Sequence, residues 1–191
     1  MYVGFGHRRR TGKDTLANLV MDNLAVKGVE VFRDAFAWRL KALAHDVFGY
    51  AGLGPPLLHE MKPELREKIL PAIGKSPREI WIELGEKMRS ISADVWIHGV
   101  LDNPACKPGS VVLISDVRHR NEFDAIREQG GLVVKVTRSG ASIHNDAADS
   151  ALAGMSDDQW DFVAQNEGDM AELSFLAHEV TENILDKLQS A

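Results

Sequence analysis

The sequence predicts an α/β fold, a parallel sheet flanked by helices, and three observations carry that prediction. The apolar run Tyr2, Val3 and Phe5 leads through a glycine-bearing stretch, Gly6 to Thr15, into residues of helical periodicity. Val29 to Phe32 then alternates as a strand does and Phe36 to Phe48 resumes a helical period, so strand and helix follow one another as in βαβ units. Further on, Val111-Val-Leu-Ile-Ser115 is a continuous apolar run ending at Asp116, the pattern of a strand buried on both faces with a carboxylate at its C-terminal tip.

The elements can be justified in order. From Asp14 to Lys27 the apolar residues Leu16, Leu19, Val20 and Leu24 recur at helical spacing, and Gly28 supplies a stop. The next helix runs through Leu40, Leu43, Ala44 and Val47 to Gly49. Tyr50 to Pro56 is turn-forming. Pro63 to Leu70, Pro77 to Arg89 and Ala93 to Leu101 then read as three helices, with Ser76-Pro77 and Ser92 as starts. The expectation is one domain over residues 1–191, with 1–49 and 105–191 forming the α/β core and about 50–104 a helical insertion whose many charges are mostly a solvated face. Beyond Asp116, Asn121 to Gln129 is helical, Gly130-Gly131 ends it, and Leu132 to Val136 is another strand finishing at Thr137-Arg138. Ser139 to Ser156 is polar and weakly patterned, a loop or mobile flap over about 139–156. Trp160 to Ala164 reads as a short last strand. Asp169 to Leu188 is a long helix with Leu173, Leu176, Ala177, Val180, Ile184 and Leu188 on one face.

Composition narrows the function classes. The 191 residues, 45% of them hydrophobic, suffice for a real core. A net charge of −6 and a pI near 5.6 argue against broad binding to a nucleic-acid backbone. No apolar run approaches the roughly 18 residues of a membrane span, and a strand and glycine loop stand where a signal peptide would, so a cytoplasmic protein is expected. Cys106 is alone, which excludes an intrachain disulfide or a cysteine-based zinc site, and it reads as a neutral loop thiol. The seven histidines show no metal-ligand spacing.

The chemistry concentrates in Gly6-His-Arg-Arg-Arg-Thr-Gly-Lys-Asp-Thr15, which reads as a phosphate-binding loop and makes the sheet one of P-loop NTPase type. Glycine lets backbone N–H groups approach an anion, a helix N-terminus adds its positive dipole end, and Lys13 reaches the outer phosphates. The spacing departs from the usual pattern. Gly6 and Gly12 enclose five residues instead of four, so His7 stands where the first glycine would be. Asp14 follows the lysine where Ser or Thr normally holds Mg²⁺, and Thr15 comes one place late, leaving the metal ligand open. Asp116 is placed at the strand edge where open α/β sheets bind ligands, to hold Mg²⁺ directly or through water; its other reading is a cap for the helix near Asn121. Arg118 follows immediately, and Arg138 lies at another strand tip.

Together these segments resemble a family, the bacteriophage-type deoxynucleoside monophosphate kinases. The resemblance rests on Gly6 to Thr15; Ala35-Phe-Ala with Leu40-Lys41; Ser76-Pro-Arg-Glu with Leu84-Gly85; Asp94-Val-Trp96; Ser115-Asp-Val-Arg118 with Asn121-Glu122; Gly130-Gly131 through Val136-Thr-Arg138; and Asp161 with Asn166 and Gly168. They span nearly the whole chain in the family's order. The chain departs from the family at His119-Arg120, where Phe-Pro is common, at the lengthened loop, and at Ala148-Asp149, where the flap often carries Ser-Glu.

The resemblance implies transfer of the ATP γ-phosphoryl group to a deoxynucleoside 5′-monophosphate (dNMP), with Mg²⁺, to give the diphosphate for DNA synthesis. It further implies the roles of the residues. Gly6 and the backbone from Arg10 through Thr11, Gly12, Lys13 and Asp14 to Thr15 cradle ATP, and Asp116 with Asp14 or Thr15 places the metal. Lys41, Arg78, Arg89, Arg118 and Arg138 bind the acceptor phosphate, Arg118 foremost. One of Phe36, Trp38, Trp81 and Trp96 stacks on the base. A homodimer is expected on family grounds, and a phage-encoded protein would act in the bacterial host cytoplasm. Two other readings stand beside this one: a small-molecule kinase of the dephospho-coenzyme A kinase kind, and a regulatory protein that binds a nucleotide without turnover.

Overall fold

The computed structural model describes residues 1–8, 10–102, 107–140 and 152–190 and divides them into two compact units, Met1–Ala35 with Leu101–Ala191, and Phe36–Val100. The first unit carries a five-stranded, wholly parallel sheet. Its strands are β1 (Tyr2–Gly6), β2 (Val31–Asp34), β3 (Val111–Val117), β4 (Leu132–Thr137) and β5 (Phe162–Gln165), in the order β2-β3-β1-β4-β5. The predicted α/β class is what forms. Strand order reverses about β1, so the C-terminal end of β1 opens on the crevice where such sheets bind ligands.

Helix α1 (Lys13–Val26) leaves the loop after β1 and packs against the last helix, Met170–Gln189. Leu16, Ala17, Val20 and Leu24 of α1 meet Leu173, Ala177, Val180 and Ile184, with Val3, Phe5, Val111, Leu113, Val134 and Val136 of the sheet beneath. On the other face lies the helix Arg120–Glu128, whose Ile126 approaches so close to Gly4 that a Cβ there would stand 2.6 Å from it.

Two strand boundaries moved from expectation, for local reasons. The alternation from Val29 was read as strand, yet Val29 and Gly28 donate backbone hydrogen bonds to Leu24 and Ala25, closing the end of α1 with Gly28 at φ +77°; pairing starts at Val31. The last strand begins at Phe162 because the side chain and backbone of Asp161 are tied to Val133.

The second unit is helical: α2 (Phe36–Phe48), α3 (Pro56–Met61), α4 (Pro77–Ile91) and α5, which spans Val95–Leu101. Helix α2, assigned to the α/β core by its sequence position, groups with this unit. Helix α3 was not expected; it starts at the last residue of the turn-forming stretch, with Pro56 at its first position, where a missing N–H is harmless. The helix expected from Pro63 to Leu70 is a 3₁₀ turn over Pro63–Glu67, because Leu70 pairs with Lys75 in an antiparallel bridge. Ser76 and Glu79 close α4 with a reciprocal capping box. Ala44, Leu53, Leu70, Ile80 and Trp81 form this unit's core. With the chain numbered in this way, the helices of the first unit beyond α1 are α6 (Arg120–Glu128) and α7 (Met170–Gln189).

Candidate functional site

The loop between β1 and α1 is fixed by its own residues and by one from the far edge of the sheet. Thr11, 1% exposed, donates from Oγ1 to the Arg8 carbonyl at 3.1 Å. Asn166, following β5, donates from Nδ2 to the Thr11 carbonyl at 2.8 Å and is itself tied by its backbone to Thr137. Gly12 is the N-cap of α1 at φ +94°, a left-handed conformation glycine takes without cost. A Cβ there would sit 2.4 Å from the Asn166 amide. Glycine is therefore required twice over.

Lys13 opens α1, is 7% exposed, and turns its amine back over the loop, donating to the Arg8 carbonyl with Thr11 Oγ1 at 3.4 Å. The cation thus lies over the loop at a helix N-terminus, the arrangement that receives an anion. Arg10 is exposed at φ +58°, and Arg8 is half-buried. Arg9, read as solvated, lies outside the described residues, as do Cys106, His144, Ala148, Asp149 and most of the expected flap; at the flap's far end Leu152 and Met155 are buried.

His7 takes the glycine's place in backbone terms as well, with φ +90°. Its ring meets Trp160 edge-on at 6.5 Å, and its Nδ1 is buried without a hydrogen-bond partner. Burial first, then the cations of Lys135, Arg8 and Lys13, lower its pKa to about 4, so the imidazole is neutral at pH 7. Lys135, level with Gly6 in the neighbouring strand, is buried and paired with Asp157 at 2.7 Å. The sequence reading did not single it out.

Beside the loop, the ends of β2, β3 and α1 bring Asp14, Ser115 and Arg33 together. Ser115 Oγ donates to Asp14 Oδ1 at 2.6 Å, while Arg33 Nη2 donates to Ser115 Oγ at 2.8 Å and lies 3.3 Å from Asp14 Oδ1. Thr15 is exposed. The β1–β3 register jumps from Gly4↔Ile114 to Gly6↔Val117, setting Ser115 and Asp116 together against Phe5. Bulges of this kind re-aim side chains at strand ends. Asp116 is half-buried, and it does not begin α6: that end is closed by Glu122, 1% exposed, whose Oε2 accepts from the backbone N–H groups of Arg118 at 2.9 Å and His119 at 3.0 Å. Arg118 is half-buried just past β3, and Arg138 is exposed just past β4.

The remaining candidates belong to the helical unit. Lys41 pairs with Glu60 at 2.8 Å and lies 5.6 Å from the centre of the Trp81 ring. Arg78 pairs with Glu67, and Arg89 is half-buried. Of the four aromatics offered for stacking, Phe36, Trp81 and Trp96 are buried, and Trp38 is 41% exposed.

Asp14 at the start of α1 meets Ser115 near the end of β3, and such oxygen donors suit Mg²⁺, which takes one or two carboxylates and completes its shell with phosphates and water; Thr15 and Asp116 each adjoin one member of that pair in the chain. No cluster of three or more His, Cys, Asp or Glu residues able to hold a metal occurs among the described residues. No described helix is long and apolar enough to cross a membrane.

No protein-family model and no curated protein matches the chain. Solved structures that resemble it include a cysteine-to-alanine variant of the Mycobacterium tuberculosis APS kinase, at 12% identity and TM-score 0.41, covering 98% of this chain and 96% of that one. Another is the Aquifex aeolicus shikimate kinase, at 14% identity and TM-score 0.37, covering 99% and 96%. At this degree of likeness, the functional case rests on the chain's own residues.

Proposed function

We propose that this chain is an ATP-dependent kinase that phosphorylates deoxynucleoside 5′-monophosphates. The observation that carries the reading is Lys13, nearly buried and folded over a loop that Asn166 clamps, at the N-terminus of α1 and the open end of β1. A surface lysine in a plain turn needs neither the clamp nor the left-handed Gly12.

Phosphoryl transfer asks little covalent work of a protein, since the acceptor phosphate is already an adequate nucleophile. Alignment and neutralisation of charge on the moving group matter most. In this reading the loop backbone from Arg10 to Thr15, with Gly6, binds the donor phosphates, and Lys13 exchanges the Arg8 carbonyl for the transferred group. Asp116, with Asp14 or Thr15, would hold Mg²⁺, which when bound supplies charge neutralisation at the donor phosphates. Arg118 and Arg138 orient and neutralise the acceptor phosphate. Glu122 fixes where the chain carrying Arg118 leaves β3. By the resemblance, Lys41, Trp38, Arg78 and Arg89 serve the acceptor, and residues 50–104 form its binding segment. Cytoplasmic action and a homodimer complete the proposal.

Label transfer tests it. With γ-labelled ATP and Mg²⁺, label should appear in a deoxynucleoside diphosphate; label passing to dephospho-coenzyme A instead would select the other kinase reading, and no transfer to either would favour the regulatory one.

A further inference from the structure

We propose that Asp14 and Ser115 together form the protein's half of a divalent-cation site, with Arg33 as its resident cation until a metal ion displaces it. The inference rests on the phosphate-loop reading above and adds the identity of the donors. In the usual loop the residue after the lysine gives a hydroxyl and a strand-end acid stands beyond it. Here the loop gives a carboxylate, and strand β3 adds a hydroxyl 2.6 Å from it, one residue before Asp116.

Three observations support this. First, both oxygens converge on one cationic nitrogen, Arg33 Nη2, at 2.8 Å and 3.3 Å, so the pair already binds a cation. Second, exposure suits exchange. Ser115 is 6% exposed and built into the sheet edge, whereas the Asp14 side chain is 82% exposed and open to an incoming ion. An ion pair this exposed is weak, so displacing the guanidinium costs little. Third, the β1–β3 register jump sets Ser115 and Asp116 together against Phe5, so a second carboxylate follows Ser115 directly in the strand end that Asp14 meets. Arg33 keeps a hold when displaced, because its Nη1 also reaches Asn18 Oδ1 and the Asp14 carbonyl. Hard oxygen donors select Mg²⁺ or Mn²⁺ over softer metals.

Mn²⁺, read by electron paramagnetic resonance, is the probe. Titrated in the presence of ADP, Mn²⁺ should bind Ser115→Ala and Asp14→Asn at least about tenfold more weakly than the parent protein. Ser115→Thr, which keeps the hydroxyl, should hold the parent affinity and shows that any loss is not misfolding. Asp14→Ser combined with Ser115→Asp should recover part of what Asp14→Ser alone loses. Titrated without ADP, Arg33→Gln should bind Mn²⁺ roughly fivefold more tightly, as removal of a neighbouring unit charge near water predicts. Unchanged affinity in Ser115→Ala, a loss confined to Thr15→Ala, or weaker binding in Arg33→Gln would overturn the proposal. Calorimetry of ADP alone separates the two levels: a parent protein that does not bind ADP removes the loop reading itself, whereas normal ADP binding with Mn²⁺ indifferent to Ser115 removes only this inference.

Discussion

Replacing Gly12 by alanine probes the loop at its tightest point. Gly12 has φ +94°, where an L-residue costs about 1 kcal/mol. Its new Cβ would stand 2.4 Å from Asn166 Nδ2, so the amide must move and release the Thr11 carbonyl it holds at 2.8 Å. Leaving those buried groups unpaired costs about 1–3 kcal/mol. The sum is about 2–4 kcal/mol, which for a chain of this size lowers the melting temperature by roughly 5–15 °C. Gly28→Ala is the control, since Gly28 has φ +77° and nothing within 4 Å of its virtual Cβ; it should lose only the conformational part, about 1 kcal/mol. In an Asn166→Ala background the clash is gone, so Gly12→Ala should fall to a similar cost, a coupling of about 1 kcal/mol or more in a double-mutant cycle. The assay is thermal and urea unfolding of the five proteins: the parent, the three single variants and the Gly12→Ala/Asn166→Ala double variant. If Gly12→Ala destabilises no more than Gly28→Ala, or if its cost is the same with and without Asn166, then Asn166 does not clamp the loop and the argument from that contact collapses.

Other consequences follow from the same geometry. Lys13→Ala should lower turnover by about a thousandfold with the fold intact by circular dichroism, and activity within about tenfold of the parent would remove Lys13 from the mechanism. His7 has its pKa lowered to about 4 from an ordinary 6.5, so between those values the unfolded chain binds the extra proton. Its contribution to stability is complete above pH 6.5 and declines as pH falls toward 4; His7→Gln should flatten that part of the pH profile of urea midpoints, and an unaltered slope would contradict the assignment. Glu122→Ala should destabilise by about 1–3 kcal/mol, because its buried carboxylate accepts the Arg118 and His119 N–H groups, and should raise the KM for the acceptor through Arg118. A variant of parent stability would mean that another group caps this turn.

The sheet and its loop were legible because their signals are local. The apolar run before Gly6, the helical period after Lys13 and the buried run ending at Ser115-Asp116 each sit within a dozen residues. Arg118 and Arg138 could be placed at strand tips for the same reason. Contacts between distant residues left no such trace. Asn166 was visible only as part of a family pattern, with nothing to tie it to Thr11, 155 positions away. Arg33 is an unremarked residue in a short strand until the sheet sets it beside Ser115 and Asp14. Lys135 sits in an otherwise apolar strand, where its charge is matched by Asp157 from a segment without strong periodicity. Glu122 was visible only within the family segment Asn121-Glu122; its part in accepting the Arg118 and His119 N–H groups emerges only when the turn after β3 is folded. Aromatic spacing likewise could not separate Trp38, which is exposed, from Trp81 and Trp96, which are core.

The central claim is acceptor-dependent phosphoryl transfer, and ADP release tests it most directly. ATP and Mg²⁺ should be supplied with each deoxynucleoside and ribonucleoside monophosphate in turn, beside a blank without acceptor. The account predicts ADP release that depends on a deoxynucleoside monophosphate and is lost in Lys13→Ala. Release equal to the blank with every acceptor, or release that survives the loss of Lys13, would contradict it.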